Sequence, residues 1–468
     1  MGIGGLISKL GFGRVAGAAA IGAALAFAPM TASAQSGIRD AEIEAILHEW
    51  FNPLLIAGGL QPADVDIILI NDKSINAFVA NGQKIHIHTG LIIETQTPEQ
   101  LKGVIAHEMG HIIGAHLARG EDAIRASGGM SLISIGLGVL AIAAGAPDAG
   151  VALLGSAQQF QAMSVFKYLR NEESEADQYG VQLMEKTHQS ATGLLYFLEK
   201  FRYEELMSST KQDPYFRTHP VSNQRIQAIR ERVAEVEKTA QPQSDRAREQ
   251  LAVMKAKLIG FIESPMIVAK KYPKTDTSAP ARYARAISEY RAVDIKAAMA
   301  DIDSLLADDP KNPYYWELKG QILFENGKVD ESIEPNRKSV EYGPKEALLK
   351  VNLARSLIES KGNYIVGEGK PTERADNLKE AETVLMDSLQ QEKDNPFAWN
   401  QLANCYGKQH RDAEAALATA EERYFIGDRR TAYNFARRAM DKLDRNSPKW
   451  QRADDIIRVT DPRLGRRG

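Results

Sequence analysis

Two histidines four positions apart, with a glutamate directly after the first, restrict this chain more than any other feature of its sequence. The run His107-Glu108-Met109-Gly110-His111 has the pattern H-E-x-x-H. Residues four apart lie on one face of a helix, so both imidazoles can bind one zinc ion. Glu108 stands beside the first ligand, where it can accept a proton from metal-bound water. Pro98 and Thr97 predict the start and the N-cap of this helix.

A catalytic zinc site needs three protein ligands and an open position, so a third ligand must come from elsewhere. A second predicted helix carries the acids Glu172, Glu173, Glu175 and Asp177. Glu173 and Asp177 share one face, so one can bind the metal while the other holds a ligand imidazole. Spacing alone does not decide among Glu172, Glu173 and Glu175.

The residues around these helices predict a small mixed domain. Helical spacing of apolar residues predicts a helix over Ile38–Ala57, and strands are predicted at 65–70, 77–80 and 84–88. The last two strands are joined by the turn signal Asn81-Gly82. His86, His88 and His116 are interpreted as structural histidines. The composition turns polar around Pro242, where we place the end of the first domain.

Beyond that point the sequence is helical and repetitive. Pro310 and Pro344 lie 34 residues apart, which is the period of the tetratricopeptide repeat. The segment Trp399-x-x-Leu402-Ala403-x-x-Tyr406 matches the first helix of that repeat, and 361–377 reads as an insertion between repeats. The predicted fold is α+β and mostly α, with an all-α repeat solenoid after the first domain. The predicted divisions are 1–34, 35–245 and 246–468.

The first 34 residues predict export. Lys9 and Arg14 precede an apolar run over 15–30, and Ala32-Ser33-Ala34 is a typical signal-peptidase site, so Gln35 is the expected mature start. The alternative is an uncleaved membrane anchor. A cleaved signal peptide favours the periplasm as the destination.

Composition and a second apolar segment limit the partners. The formal net charge of -3 argues against nucleic-acid binding, which normally needs a clustered basic surface. The single cysteine, Cys405, excludes an intramolecular disulfide. The apolar segment at 130–154 favours a helical hairpin, buried or in peripheral contact with the membrane, over a membrane span.

The pattern H-E-x-x-H followed by E-x-x-A-D resembles the metallopeptidase family that includes HtpX, the CAAX prenyl proteases and the mitochondrial OMA-type proteases. The resemblance covers about Ile38 to Arg232 and extends to Asn76-Ala77-Phe78 and Thr218-His219-Pro220. It implies a zincin-like fold in which Glu173 is the third ligand and Asp177 is the family's aspartate. An exported domain of this kind before tetratricopeptide repeats is similar to periplasmic proteases of the BepA type, which act in outer-membrane protein assembly and quality control.

The same resemblance places His219 close to the metal. It implies two alternatives: His219 is a fourth ligand that closes the site, or His219 and Arg225 stabilise the oxyanion. A third interpretation is a surface histidine before a turn proline.

The residues together predict a zinc metalloendopeptidase. Metal-activated water attacks the peptide carbonyl, Glu108 acts as general base, and the sheet edge near 76–80 binds an extended substrate. The expected substrates are unfolded or misassembled envelope proteins, with the repeats docking to outer-membrane assembly machinery. The alternative is a repeat-based periplasmic chaperone or adaptor with a latent protease site.

Overall fold

The computed structural model describes residues 37–80, 82–119, 159–207, 215, 219–360 and 373–463, without the side chains of 159–169, 204–207 and 373–375. The predicted signal peptide, the apolar segment at 130–154, Thr218 and most of the predicted insertion at 361–377 lie outside the described residues. Within the described ranges, no helix combines the length and the apolar character needed to cross a membrane.

Four strands of the described residues form one sheet in the first domain. They are β1 (Gly37–Ile38), β2 (Asp66–Ile70), β3 (Ala77–Ala80) and β4 (Lys84–His88), in the order β1-β2-β4-β3. β2 and β4 are parallel, whereas β1 and β3 run antiparallel to their neighbours at the two edges. The three predicted strands are confirmed, except that Val65 lies just before β2. Gly82 has a φ of 92°, which suits the predicted turn between β3 and β4.

Strand β1 corrects the prediction of a helix that starts at Ile38. The side chain of Asp40 accepts a hydrogen bond from the backbone N–H of Ile43, so helix α1 (Ala41–Ala57) begins after this cap. The two residues ahead of the cap pair with β2 instead and extend the sheet by one short strand.

Helices pack against the sheet and enclose the apolar core of the first domain. They are α1, α2 (Thr89–Glu94), α3 (Pro98–Ile113), α4 (Gln159–Lys186), α5 (Thr192–Met207) and α6 (Asn223–Val236). Fully buried side chains from several of these elements meet in one cluster, among them Leu47, Phe51, Ile85, Val104 and Leu198. Helix α3 begins at Pro98 as predicted. Thr97 occupies the N-cap position as predicted, although its side chain makes no capping hydrogen bond there.

The rest of the described chain is helical, as the repeat pattern predicts. The helices are α7 (Asp245–Ile262), α8 (Pro265–Lys271), α9 (Ala279–Arg291), α10 (Ile295–Asp308), α11 (Pro313–Glu325), α12 (Val329–Tyr342), α13 (Ala347–Glu359), α14 (Glu373–Gln391), α15 (Pro396–Lys408), α16 (Asp412–Phe425), α17 (Arg429–Met440) and α18 (Pro448–Thr460). Successive helices pack on one another and bury apolar clusters that span neighbouring hairpins. Stacking of this kind covers apolar faces that one hairpin alone would expose.

The two parts of the chain touch through a buried charge cluster. Lys257 of α7 places its Nζ 2.9 Å from Asp40 Oδ1 and 3.2 Å from Glu42 Oε2, at the start of α1. The hydroxyl of Tyr283 in α9 donates to Glu42 at 3.0 Å. Helix α7 also contacts α1 and α2 of the first domain. The domain boundary placed at residue 245 stays a prediction.

Candidate metal centre

Two helices with closely apposed backbones carry most of the candidate residues. Helix α3 holds His107, Glu108 and His111, and helix α4 holds Glu173 and Asp177. A Cβ atom at position 110 would lie 2.4 Å from the carbonyl oxygen of Ala176 in α4. Glycine at 110 is therefore what allows the two ligand helices to approach this closely. Gly110 occupies one of the two variable positions of the H-E-x-x-H pattern, so the pattern itself does not predict this packing role.

Four side chains from three parts of the fold converge beside α3. His107, His111, Glu173 and His219 each offer one ligand atom, and these atoms all lie within 4.8 Å of one another. The Nε2 atoms of His107 and His111 are 3.2 Å apart. The carboxylate of Glu173 lies 3.4 Å from each of these two nitrogens.

This donor set fits a zinc ion. Imidazole nitrogen and carboxylate oxygen are the ligands of many catalytic zinc sites. His107, Glu173 and His219 are each about 5 % exposed or less. The structure thus brings the predicted ligands together, with Glu173 rather than Glu172 or Glu175 in the cluster.

Asp177 and Arg225 hold the imidazole ring of His107 in its orientation. Asp177 Oδ1 lies 2.9 Å from His107 Nδ1, so the other ring nitrogen, Nε2, faces the cluster. Arg225 donates from Nε to Asp177 Oδ2 at 2.7 Å and from Nη2 to Oδ1 at 2.8 Å. A ligand histidine held by a carboxylate through its second nitrogen is the usual arrangement in zinc proteins.

Arg225 also reaches the ligand carboxylate. Its Nη1 lies 3.0 Å from Glu173 Oε2 and donates to the carbonyl oxygen of Pro220 at 2.7 Å. Its three nitrogens are thus engaged with Asp177, Glu173 and the backbone. This arrangement suits a residue that positions the two acids better than one that contacts a substrate.

Burial and charge set the ionisation of these groups. Burial opposes the charged form of Glu173, but the charges of His219 and Arg225 hold its carboxyl pKa well below the ordinary value. Burial lowers the pKa of His111 to about 4, which keeps this imidazole neutral. Burial also disfavours a charge on His107, but its hydrogen bonds to Asp177 and Glu173 raise its pKa to about 10. A cation that binds His107 must therefore displace a proton.

Glu108 differs from the other acids of the cluster because its carboxylate has no hydrogen-bond partner among the described residues. Both oxygens are buried, and no described residue donates to either of them. The imidazole of His219 lies beside it, with Nε2 3.4 Å from Oε1. Burial raises the pKa of Glu108 above the ordinary value, against the charges of His219 and His107. A buried, unpartnered carboxylate with a raised pKa suits a group that exchanges protons with a substrate or a water molecule.

His219 lies within the cluster, not on the surface. It is 5 % exposed, and its Nδ1 lies 3.2 Å from both oxygens of Glu173. The ring of Tyr215 lies against it with centroids 4.7 Å apart. The interpretation of His219 as a surface histidine is therefore wrong. Its two other predicted roles, as a fourth ligand or as an oxyanion donor, both remain compatible with this position.

Part of the chain is similar to known proteases. Residues 38–233 match peptidase family M48. This part of the chain is a family M48 domain. The "Beta-barrel assembly-enhancing protease" of Escherichia coli strain K12 is 25 % identical over 371 residues, which is 77 % of this chain and 71 % of that protein.

Two further relatives match shorter stretches. The "Putative beta-barrel assembly-enhancing protease" of Vibrio cholerae is 32 % identical over 166 residues, covering 35 % of this chain and 34 % of that protein. The "Metalloprotease LoiP" of Escherichia coli strain K12 is 29 % identical over 180 residues, covering 37 % and 64 %.

One further histidine of the M48 domain, His116, touches the cluster, and its interpretation as a structural histidine stays a prediction. His116 Nδ1 lies 2.8 Å from His111 Nδ1, and His116 Nε2 lies 3.3 Å from Glu175 Oε2. Ala115 has a φ of 51°, so the chain turns back just after α3 and brings His116 to His111. Because such a backbone conformation is unusual for alanine, no local sequence pattern predicts this contact. Glu175, one of the open candidates for the third ligand, takes this outer position.

Proposed function

We propose that this chain is a zinc-dependent endopeptidase of the periplasm that acts in the quality control of outer-membrane proteins. The observation that carries the proposal is the buried cluster of two histidines and Glu173 beside the unpartnered carboxylate of Glu108. The peptidase family of residues 38–233 and the name of the Escherichia coli relative support it. Export by the signal peptide at 1–34 is part of the proposal.

In this proposal His107, His111 and Glu173 hold the metal. A zinc ion supplies, when bound, a water molecule of lowered pKa and a Lewis acid for the peptide carbonyl. Asp177 orients His107 through its Nδ1, and Arg225 holds both acids in place. Glu108 takes up a proton on its buried carboxylate and returns it to the leaving amine.

Substrate binding is assigned to the edge of the sheet. β3 is an edge strand, paired with β4 on one side only among the described strands. An extended substrate segment can add to such an edge through backbone hydrogen bonds, which need little side-chain specificity. This mode suits unfolded or misassembled envelope proteins as substrates. The repeats are proposed to bind such clients or the outer-membrane assembly machinery.

Two roles of His219 are compatible with the proposal, and the variant His219→Ala distinguishes them. If its Nδ1 is a fourth ligand that closes the site, His219→Ala should cleave casein faster than the unmodified chain. If its Nε2 donates to the oxyanion, the same variant should cleave more slowly at unchanged zinc content. An unchanged rate would contradict both roles.

The proposal is tested by measuring zinc content and casein cleavage of residues 35–468 beside Glu108→Gln. We expect one zinc per chain in both proteins and cleavage only in the unmodified one, because the variant keeps the ligands but loses the base. Glu99→Gln, on the same helix but in its first turn, is the matched control and should cleave normally.

Two outcomes would contradict the proposal in different ways. Loss of zinc in Glu108→Gln would mean that Glu108 is a ligand and not the base. Absence of zinc and of cleavage in the unmodified chain would favour the alternative, a repeat-based periplasmic chaperone or adaptor.

A further inference from the structure

A cavity of about 440 Å³ lies where the first domain meets the repeats. On one side it is lined by Ile38, Arg39 and Asn71, at the β1 edge of the sheet. On the other side it is lined by helices α11, α13 and α15, which contribute Phe324, Arg355 and Phe397. It is formed by elements other than those that hold the metal cluster. The proposed peptidase mechanism does not use it.

Arg355 lies close to two aromatic rings in this cavity. Its guanidinium carbon is 4.8 Å from the ring centroid of Phe324 and 5.7 Å from that of Phe397. Phe397 is 46 % exposed, which is unusual for a large apolar side chain beside a cavity. Stacking on aromatic rings holds the planar guanidinium in one orientation and lowers the entropy lost when it binds a ligand.

The other cations that line the cavity already have acidic partners. Arg39 donates to Glu44 and to Glu392, each at 2.8 Å. Lys257 is surrounded by Asp40 and Glu42, as described above. By contrast, none of the described acids forms a hydrogen bond or an ion pair with Arg355.

The acid whose ionisation Arg355 influences is occupied elsewhere. The charge of Arg355 lowers the pKa of Glu325, though burial raises it more. The carboxylate of Glu325 accepts hydrogen bonds from Tyr290 and Gln321. The fork of donors on Arg355 is therefore available for a ligand that brings its own negative charge.

We propose that this cavity binds the carboxyl-terminal end of an extended polypeptide, with the terminal carboxylate on Arg355 and an apolar last side chain against Phe324 and Phe397. An arginine fork matches the two oxygens of a carboxylate, and both hydrogen bonds are charge-assisted. The exposed ring of Phe397 offers an apolar contact directly beside that charge. An aromatic last residue can stack on these rings.

The size of the cavity favours a chain end over a chain that passes through. Its volume lies in the range that holds a drug-sized ligand, which corresponds to a few residues. The peptidase side and the repeat side both line it, so a bound chain end would contact both parts of the protein at once. The ligand class rests on the proposed function, because unfolded clients would supply free chain ends.

The test measures binding of a fluorescent ten-residue peptide that ends in phenylalanine, with fluorescence anisotropy as the readout. The protein is the full chain carrying Glu108→Gln, so that the peptide is not cleaved. A matched peptide has an amidated end, and a third has an internal glutamate and an amidated end. We expect the free-acid peptide to bind about tenfold more tightly than either, because one charge-assisted interaction is lost in both. Because binding is measured without cleavage, failure of the proposed peptidase activity would leave this result unaffected.

Variants of the protein complete the test. Arg355→Gln should abolish the preference for the free acid, and Phe397→Ala, at an exposed position that tolerates truncation, should weaken binding of the free-acid peptide. Arg438→Gln is the matched control, since Arg438 stacks on Phe435 at 5.3 Å outside the cavity, and it should bind like the parent. Three results would each overturn the proposal. The amidated peptide, or the peptide with the internal glutamate, would bind as tightly as the free-acid peptide. Alternatively, Arg355→Gln would keep the preference for the free acid.

Discussion

Replacing Gly110 with alanine should destabilise the protein and weaken metal binding together. The new Cβ would lie 2.4 Å from the carbonyl oxygen and 2.8 Å from the Cα of Ala176, both backbone atoms that cannot rotate away. To reach the 3.0 Å that real contacts respect, α3 and α4 must separate by about 0.6 Å. Overpacking of this kind costs about 1–3 kcal/mol, which exceeds the ~0.5–1 kcal/mol that alanine contributes inside a helix.

The same separation moves Glu173 away from His107 and His111. Protein ligands must lie within about 0.2 Å of their ideal distance from a metal, so a 0.6 Å displacement is large on this scale. We expect zinc affinity to fall by about tenfold or more, the effect typical of changes to the residues that support a metal site.

The assay measures the urea midpoint of unfolding and the zinc affinity by competition with a chelator. Gly407→Ala is the matched control, since Gly407 is an exposed helical glycine whose Cβ would meet no atom within 4 Å. Alanine there should stabilise the helix by roughly 0.5–1 kcal/mol and leave zinc affinity unchanged. If Gly110→Ala also raised the midpoint and kept its zinc affinity, close packing of the two helices would not be what assembles the site.

Two further predictions concern buried acids. Asp177→Asn should lower zinc affinity by about 10- to 100-fold, because the carboxylate that holds His107 and pairs with Arg225 is lost; chelator competition would show this, and unchanged affinity in a folded variant would contradict it. Burial raises the pKa of Glu317 to about 7, and the negative charges of Asp40 and Glu42 act in the same direction. The positive charge of Lys257 opposes this increase. The folded state therefore binds an extra proton between about pH 4.5 and 7, and stability falls as Glu317 ionises on raising the pH. Glu317→Gln should raise the urea midpoint at pH 8 but not at pH 5, and an equal change at both values would refute this origin.

The sequence alone predicted the elements whose signals are local. The H-E-x-x-H spacing predicted that His107 and His111 share a helical face, and the turn signal at Asn81-Gly82 placed β3 and β4. The repeat period predicted the helical hairpins. Each of these signals follows from a backbone period of a few residues or from the conformational preference of one turn. The start of α1 was misplaced because the cap at Asp40 competes with the apolar pattern that continues before it.

Tertiary structure decided which distant residues complete the site. Spacing alone left Glu172, Glu173 and Glu175 open; the fold brings Glu173 into the cluster and leaves Glu175 with His116. His219 comes from far along the chain and carries no helical spacing that ties it to α3. These choices depend on how closely α3 and α4 approach at Gly110 and on the ion pairs of Arg225. Such contacts join residues that are distant in sequence, so no local pattern records them.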